Sequence, residues 1–148
     1  MVITEEVGVT RSLGLDVGDK RVGVALSDPL GLLASPLTII ARRDDETAIE
    51  ALFELVKQHQ VERIIVGLPR SLDGSLGKQA EKVTAFTQCL SERIRVPIEF
   101  RDERLTTVSA RRLMQDARKK RATPDDAFAA AVILQAYLDE SSQLRVDT

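Results

Sequence analysis

Apolar positions in the first part of the chain come in short runs broken by turn residues. Leu13-Gly14-Leu15-Asp16-Val17-Gly18 is an apolar run that ends in Asp-x-Gly, and Arg21-Val22-Gly23-Val24-Ala25-Leu26-Ser27 follows the turn-forming Gly18-Asp19. The two runs predict an antiparallel hairpin, with Pro36-Leu37-Thr38-Ile39-Ile40 as a third strand. From 46 to 58 the period changes: Ile49, Leu52, Phe53 and Val56 recur at helical spacing. Arg63-Ile64-Ile65-Val66-Gly67-Leu68-Pro69 then reads as a buried strand stopped by glycine and proline. A second helix over 78–94 turns Val83, Phe86, Leu90 and Ile94 inward and leads into a fifth strand, Pro97-Ile98-Glu99-Phe100. Two more helices, over 107–118 and 124–139, close the chain; Ala127 to Leu134 is almost wholly apolar, so the last helix should be buried on most sides. The order β-β-β-α-β-α-β-α-α, without internal repeat or low-complexity linker, predicts an α/β domain. Its expected form is a five-stranded mixed sheet with helices on both faces, one domain over 1–148 with 1–11 as a flexible lead-in.

Composition narrows the class. A chain of 148 residues, 43% hydrophobic and 30% charged, fits one soluble globular domain. Met1-Val2-Ile3-Thr4-Glu5-Glu6 lacks the basic start and apolar run of a signal peptide, and no stretch is apolar enough to span a bilayer, so a cytoplasmic protein with no membrane partner is expected. The single cysteine, Cys89, lies between Phe86 and Leu90 and reads as a small core residue. The net charge of −2 excludes a polycation that coats nucleic acid, but the charge is unevenly spread. Between Arg111 and Arg121, Arg111, Arg112, Arg118, Lys119, Lys120 and Arg121 face one acid, Asp116. Such a stretch seeks phosphate or forms a solvated helix end with cations on the negative pole of the dipole.

Three acidic positions, far apart in sequence, stand at the ends or edges of the expected elements: Asp16, the pair Asp102-Glu103, and Asp126. If they meet in one crevice, their hard oxygens suit one or two Mg2+ or Mn2+ ions, which could promote in-line displacement at phosphorus without a Ser, His or Cys nucleophile. Each has a plainer explanation. Thr123-Pro124-Asp125-Asp126 is a good helix start, so Asp126 could serve the dipole alone. Asp102 and Glu103 lie between Arg101 and Arg104 and could form surface ion pairs. Asp16 ends an apolar run, where burying an unpaired carboxylate is costly, and favours a functional reading.

These segments together decide more than the physics of any one. Leu15-Asp16-Val17-Gly18, Arg21-Val22-Gly23-Val24-Ala25, Ile65-Val66-Gly67-Leu68-Pro69, Asp102-Glu103-Arg104-Leu105-Thr106-Thr107, and Asp126 ahead of Ala131-Val132-Ile133-Leu134 resemble the YqgF family over nearly the whole chain. Members are bacterial proteins with a ribonuclease-H-like fold, described as candidate Holliday-junction resolvases and candidate nucleases for the 5′ end of precursor 16S ribosomal RNA. The resemblance implies that Asp16, Glu103 and Asp126 are catalytic. It also implies metal ligation by Asp16, Asp102 or Glu103, and Asp126, with Asp102 against Glu103 open and Asp125 as a further acid at the last site. It puts the basic stretch beside that site, so Arg104, Arg111, Arg118, Lys119, Lys120 and Arg121 are expected on substrate phosphates. Arg70 and Ser71, in the loop after the Gly67-Leu68-Pro69 strand end, are expected there too. Precursor rRNA or branched DNA, and the ribosome, are the implied partners. A resolvase would need a homodimer to cut a two-fold junction, and a monomer would fit RNA processing. A non-catalytic RNA- or ribosome-binding module is the reading from another class. A sugar-kinase or actin-like ATPase also opens with Asp-x-Gly on a hairpin but needs two such domains.

Overall fold

The alternation of the first two runs becomes a hairpin in the computed structural model, which describes residues 11–70, 73, 76–103, 110–112, 115 and 125–147. Strands β1 (Arg11–Val17) and β2 (Arg21–Ser27) pair antiparallel, with Leu15 opposite Val24 and Asp16 opposite Gly23. The turn closes with the Gly18 N–H donating to the Arg21 carbonyl at 2.8 Å. Strand β3 (Ala34–Ala41) joins β2 antiparallel at the sheet edge; Pro36, which has no N–H to give, sits there beside a register shift.

Helix α1 (Asp45–His59) starts at Asp44, whose carboxylate accepts from the Thr47 N–H at 2.7 Å, and ends at Gln60 in the left-handed region. Strand β4 (Val61–Leu68) returns parallel to β1, helix α2 (Lys78–Arg93) crosses back, and β5 (Ile98–Asp102) lies parallel to β4. The order β3-β2-β1-β4-β5 places β1 at the centre. The last helix, α3 (Asp125–Asp147), runs past the expected stop near Asp139, because 140–147 contains neither glycine nor proline to end it.

Strand geometry sends successive side chains to opposite faces, and here it separates two cores. Leu13, Leu15, Val17, Val22, Val24, Ile64, Val66 and Leu68 point to one face and pack with Ala48 and Leu52 of α1 and Val83, Phe86 and Leu90 of α2. Ala25, Ala34 and Ile65 point to the other, under Ala130, Ala131, Ile133 and Leu134 of α3. Helices therefore cover both faces, as expected. The α3 face also carries Gly14, Gly23 and Gly67, and α3 takes up the space that their side chains would fill. A Cβ on Gly14 would come within 2.8 Å of Leu134 Cβ and 2.9 Å of the Ala130 carbonyl. Gln135, buried in α3, ties that helix to the β2–β3 loop by accepting from the Ala34 N–H at 2.9 Å and donating to the Leu32 carbonyl at 3.0 Å.

Cys89 corrects one expectation: it is exposed. The buried stripe of α2 is Ala80, Val83, Phe86, Thr87 and Leu90, and position 89 lies about 120° round the helix from its centre. Of the helix expected over 107–118, residues 110–112 and 115 are helical and the others lie outside the described residues. None of the helices, in their described residues, is long and apolar enough to cross a membrane.

Candidate active site

Asp16 sits on the central strand and, by alternation, shares the α3 face with Gly14, while Leu15 and Val17 point into the opposite core. It has a glycine on either side. Gly23 is its register partner on β2, and the backbone of Asp126 at the start of α3 lies directly over that glycine. Gly67 follows Val66, the β4 partner of Leu15, and the Glu103 side chain lies over it, with Oε1 2.9 Å from where a Cβ would stand. The two missing side chains thus let Asp126 and Glu103 approach Asp16 from opposite sides. Glu103 follows β5 immediately, held by its N–H donating to the Leu68 carbonyl at 3.2 Å.

The same alternation divides Asp102 from Glu103. Arg101 points to the α3 face, where it donates to Glu140 at 2.7 and 3.2 Å, so Asp102 projects the other way. Asp102 meets the Arg70 guanidinium at 3.6 Å. Asp126 is also paired, accepting from Arg21 Nε at 2.7 Å. Asp16 and Glu103, in contrast, have no hydrogen-bond donor or cationic partner among the described residues.

The electrostatics follow. Burial, reinforced by the Asp126 charge, pushes the Asp16 carboxyl from its ordinary 3.8 up to about 6. Burial, with the charges of Asp16 and Asp102, lifts Glu103 from 4.5 to about 7. Asp16 thus feels the charge of Asp126, and Glu103 the charges of Asp16 and Asp102. Among the described residues no three His, Cys, Asp or Glu side chains already form a cage spaced for an ion. The donor set nevertheless fits a hard divalent cation: only carboxylate oxygens, two of them partly buried and without a counter-charge among the described residues, around a cradle that a Cβ at Gly67 would fill.

A family model described as "RuvX: Holliday junction resolvase" matches residues 10–140. The chain belongs to this family, also called YqgF. Among curated relatives, a protein of Dehalococcoides mccartyi is 55% identical over 127 residues, covering 85% of this chain and 96% of its own. One of Moorella thermoacetica is 51% identical over 136 residues, covering 90% and 97%. Both carry the name "Putative pre-16S rRNA nuclease". Among solved structures, Thermus thermophilus RuvC in complex with a Holliday junction substrate is 12% identical with a TM-score of 0.56, over 90% of this chain and 96% of that one. The yeast mitochondrial Holliday junction resolvase is 11% identical with a TM-score of 0.55, over 93% and 81%. At these identities the likeness concerns the fold, which is ribonuclease-H-like as the sequence implied.

In this RuvX-family chain, Asp16, Glu103 and Asp126 share one face and Asp102 projects from the other. Arg70 stands beside Asp102 at the same sheet end. Arg111 is exposed on a helical segment. Ser71, Arg104, Arg118, Lys119, Lys120 and Arg121 lie outside the described residues. The ion-pair explanation of the middle acids fits Asp102 and leaves Glu103 unexplained. The side chain of Asp126 meets Arg21, so dipole compensation alone does not account for it. Three residues of the site were not singled out from sequence: Arg21, Gly23 and Gly67. The signal for the two glycines was one glycine in each of three strands, Gly14, Gly23 and Gly67, on the face away from the valine and leucine core, whereas Arg21 had no local signal.

Proposed function

We propose that this chain is a metal-dependent nuclease acting on structured nucleic acid in the cytoplasm, and that it processes the 5′ end of precursor 16S ribosomal RNA. The observation that carries the reading is the pair Asp16 and Glu103, partly buried on one face of the sheet without donor or cation among the described residues, the charge of the first acting on the second. Burying such a pair is unfavourable for folding unless something else uses it. In this reading Asp16, Glu103 and Asp126 hold one or two Mg2+ or Mn2+ ions, and Asp102, on the opposite face with Arg70, does not. A bound divalent cation supplies Lewis acidity at the phosphoryl group and to an attacking water. The carboxylates fix its position, and the glycines keep their approach open. Arg70, Ser71, Arg104, Arg111, Arg118, Lys119, Lys120 and Arg121 would meet the backbone phosphates. With 3% aromatic residues and no tryptophan, there is little for bases to stack on, so shape and charge dominate recognition. The RNA substrate is supported by the name that relatives about half identical over most of the chain carry.

The family description favours a second substrate for the same chemistry, a four-way DNA junction. Cleavage of a labelled rRNA precursor and a labelled junction in Mg2+ or Mn2+, by this protein and its Asp16→Asn variant, separates them. The reading predicts RNA cleavage that the variant lacks. Junction cleavage alone would replace the substrate and keep the mechanism. Equal activity in the variant would remove the carboxylate mechanism, and binding without cleavage of either polymer would leave a binding module.

A further inference from the structure

Of the three acids on the α3 face, only Asp126 already has a cationic partner among the described residues. Arg21 opens β2 immediately after the Asp16 hairpin, and its Nε donates to Asp126 Oδ2 at 2.7 Å. The pair is not buried: the Arg21 side chain is 62% exposed and that of Asp126 31%. An exposed ion pair of this kind contributes little to folding and exchanges partners readily. Yet it spans 105 residues of sequence and joins the strand after Asp16 to the first turn of α3, whose backbone lies over Gly23.

We propose that Arg21 is a positioning residue that occupies Asp126 in place of a divalent cation while the site is empty, and yields the carboxylate when the cation binds. This rests on Asp126 being a ligand. The guanidinium neutralises Asp126 beside Asp16, whose own carboxyl has no counter-charge, and so keeps the start of α3 docked against the sheet. The same contact competes with the cation for one oxygen, and sets the site's affinity below what three free carboxylates would give. A donor that is exposed and attached through a single hydrogen bond can turn away without disturbing either core.

Calorimetric titration of the intact protein with Mn2+ tests the exchange, because the sign of the effect separates competition from support. Arg21→Gln should bind Mn2+ roughly fivefold more tightly than the unaltered protein, the factor expected for losing an exposed ion pair that competes. The Mn2+-induced rise in melting temperature should grow accordingly. Lys20→Gln removes the same charge one residue away, at an exposed position with no part in the pair, and should change affinity little. Weaker Mn2+ binding in Arg21→Gln would make the arginine a structural brace and overturn the proposal. An equal gain in Lys20→Gln would replace competition by the general field and overturn it too. In a protein labelled at arginine Nε, the Arg21 signal should shift as Mg2+ is added, and an unmoved signal at saturation would show that the pair persists. If the unaltered protein binds no Mn2+ and Asp126→Asn behaves identically, the metal reading itself fails, which is distinguishable from binding that Arg21→Gln leaves unchanged.

Discussion

Asp16 and Asp28 stand at opposite ends of the same hairpin and are treated in opposite ways. After β2 the chain folds into a turn in which the Asp28 carboxylate accepts from the backbone N–H of Leu32 at 2.7 Å and of Leu33 at 2.9 Å. The Asp28 N–H and carbonyl close the same turn with Leu33 and Gly31, each at 3.0 Å. Desolvation would raise its pKa, but those hydrogen bonds together outweigh it and hold the group below 3.8. Asp16 is given no donor, and burial takes it up to about 6. The fold satisfies Asp28 with main-chain donors and, among the described residues, offers none to Asp16. Asp28 is complete within the protein, whereas Asp16 and Glu103 have no such partner among the described residues.

The largest expected effects come from the unsatisfied pair. Asp16→Asn and Glu103→Gln should each lower nuclease activity at least a hundredfold, more than is usual for groups that only support metal ligands. Both should also stabilise the metal-free protein at neutral pH, since each removes a carboxylate that burial disfavours. Asp28→Asn should retain most activity. Cleavage rates and urea denaturation of the three variants check this opposition, and it breaks if Asp16→Asn loses stability and activity together.

Next come the glycines that open the site. A Cβ at Gly23 would run into the Asp126 carbonyl, which is backbone and cannot rotate away. Gly23→Ala should therefore cost about 2 to 3 kcal/mol, as overpacking does, and move Asp126 with the start of α3. Gly67→Ala meets the ends of the Ile133 and Glu103 side chains, which can yield, so it should cost less stability and act mainly through Glu103. Melting temperatures of the two variants, and their Mn2+ affinities, test the ranking. A neutral Gly23→Ala would mean that the helix start has room to shift.

The strands were legible in the sequence because alternation is a local signal: β2 was read at its observed limits, and α2 to within a residue of its end. The end of α3 was not, since no residue after Asp139 marks where that helix stops. Cys89 was misread because its neighbours Phe86 and Leu90 are buried while its own angle on the helix is not. The acids came from the family resemblance more than from physics, and the choice between Asp102 and Glu103 stayed open for a specific reason. It turns on strand parity, which is fixed by the contact of Arg101 with Glu140, 39 residues away. Arg21 was missed on the same ground, since its partner lies 105 residues on and nothing local distinguishes it from any arginine that opens a strand.

The satisfied end of the hairpin has its own, smaller test. Asp28→Ala deletes the acceptor of two main-chain N–H groups and should cost about 1 kcal/mol, the ordinary net value of such bonding. Urea denaturation would register it as a lower midpoint with unchanged slope. Because the loop is also held by Gln135 from α3, the loss should remain local and leave Mn2+ binding intact. Altered metal affinity in Asp28→Ala would mean that the two ends communicate through α3.

The smallest effect is a pH dependence, and it runs in opposite directions for the two ends. Asp28, whose pKa is lowered on folding, contributes stability above about pH 4 that is lost as pH falls below 3.8. Asp16 and Glu103 are raised, so between their unfolded and folded values the native state holds more protons than the unfolded chain. Stability must then decline as pH rises, from about 4 to about 6 for Asp16 and from about 4.5 to about 7 for Glu103, and level off above. After allowance for solvent screening, each contributes roughly 1 kcal/mol or less across its window. Chemical denaturation of the metal-free protein from pH 4 to 8 should show this slope, flattened up to pH 6 in Asp16→Asn and at the upper end in Glu103→Gln. Saturating Mn2+ should reverse it, because a cation binds the ionised carboxylates and favours the state that burial opposes. A slope that survives both substitutions would place the titrating groups elsewhere, and the contrast between the two ends of the hairpin would then reduce to their hydrogen bonds alone.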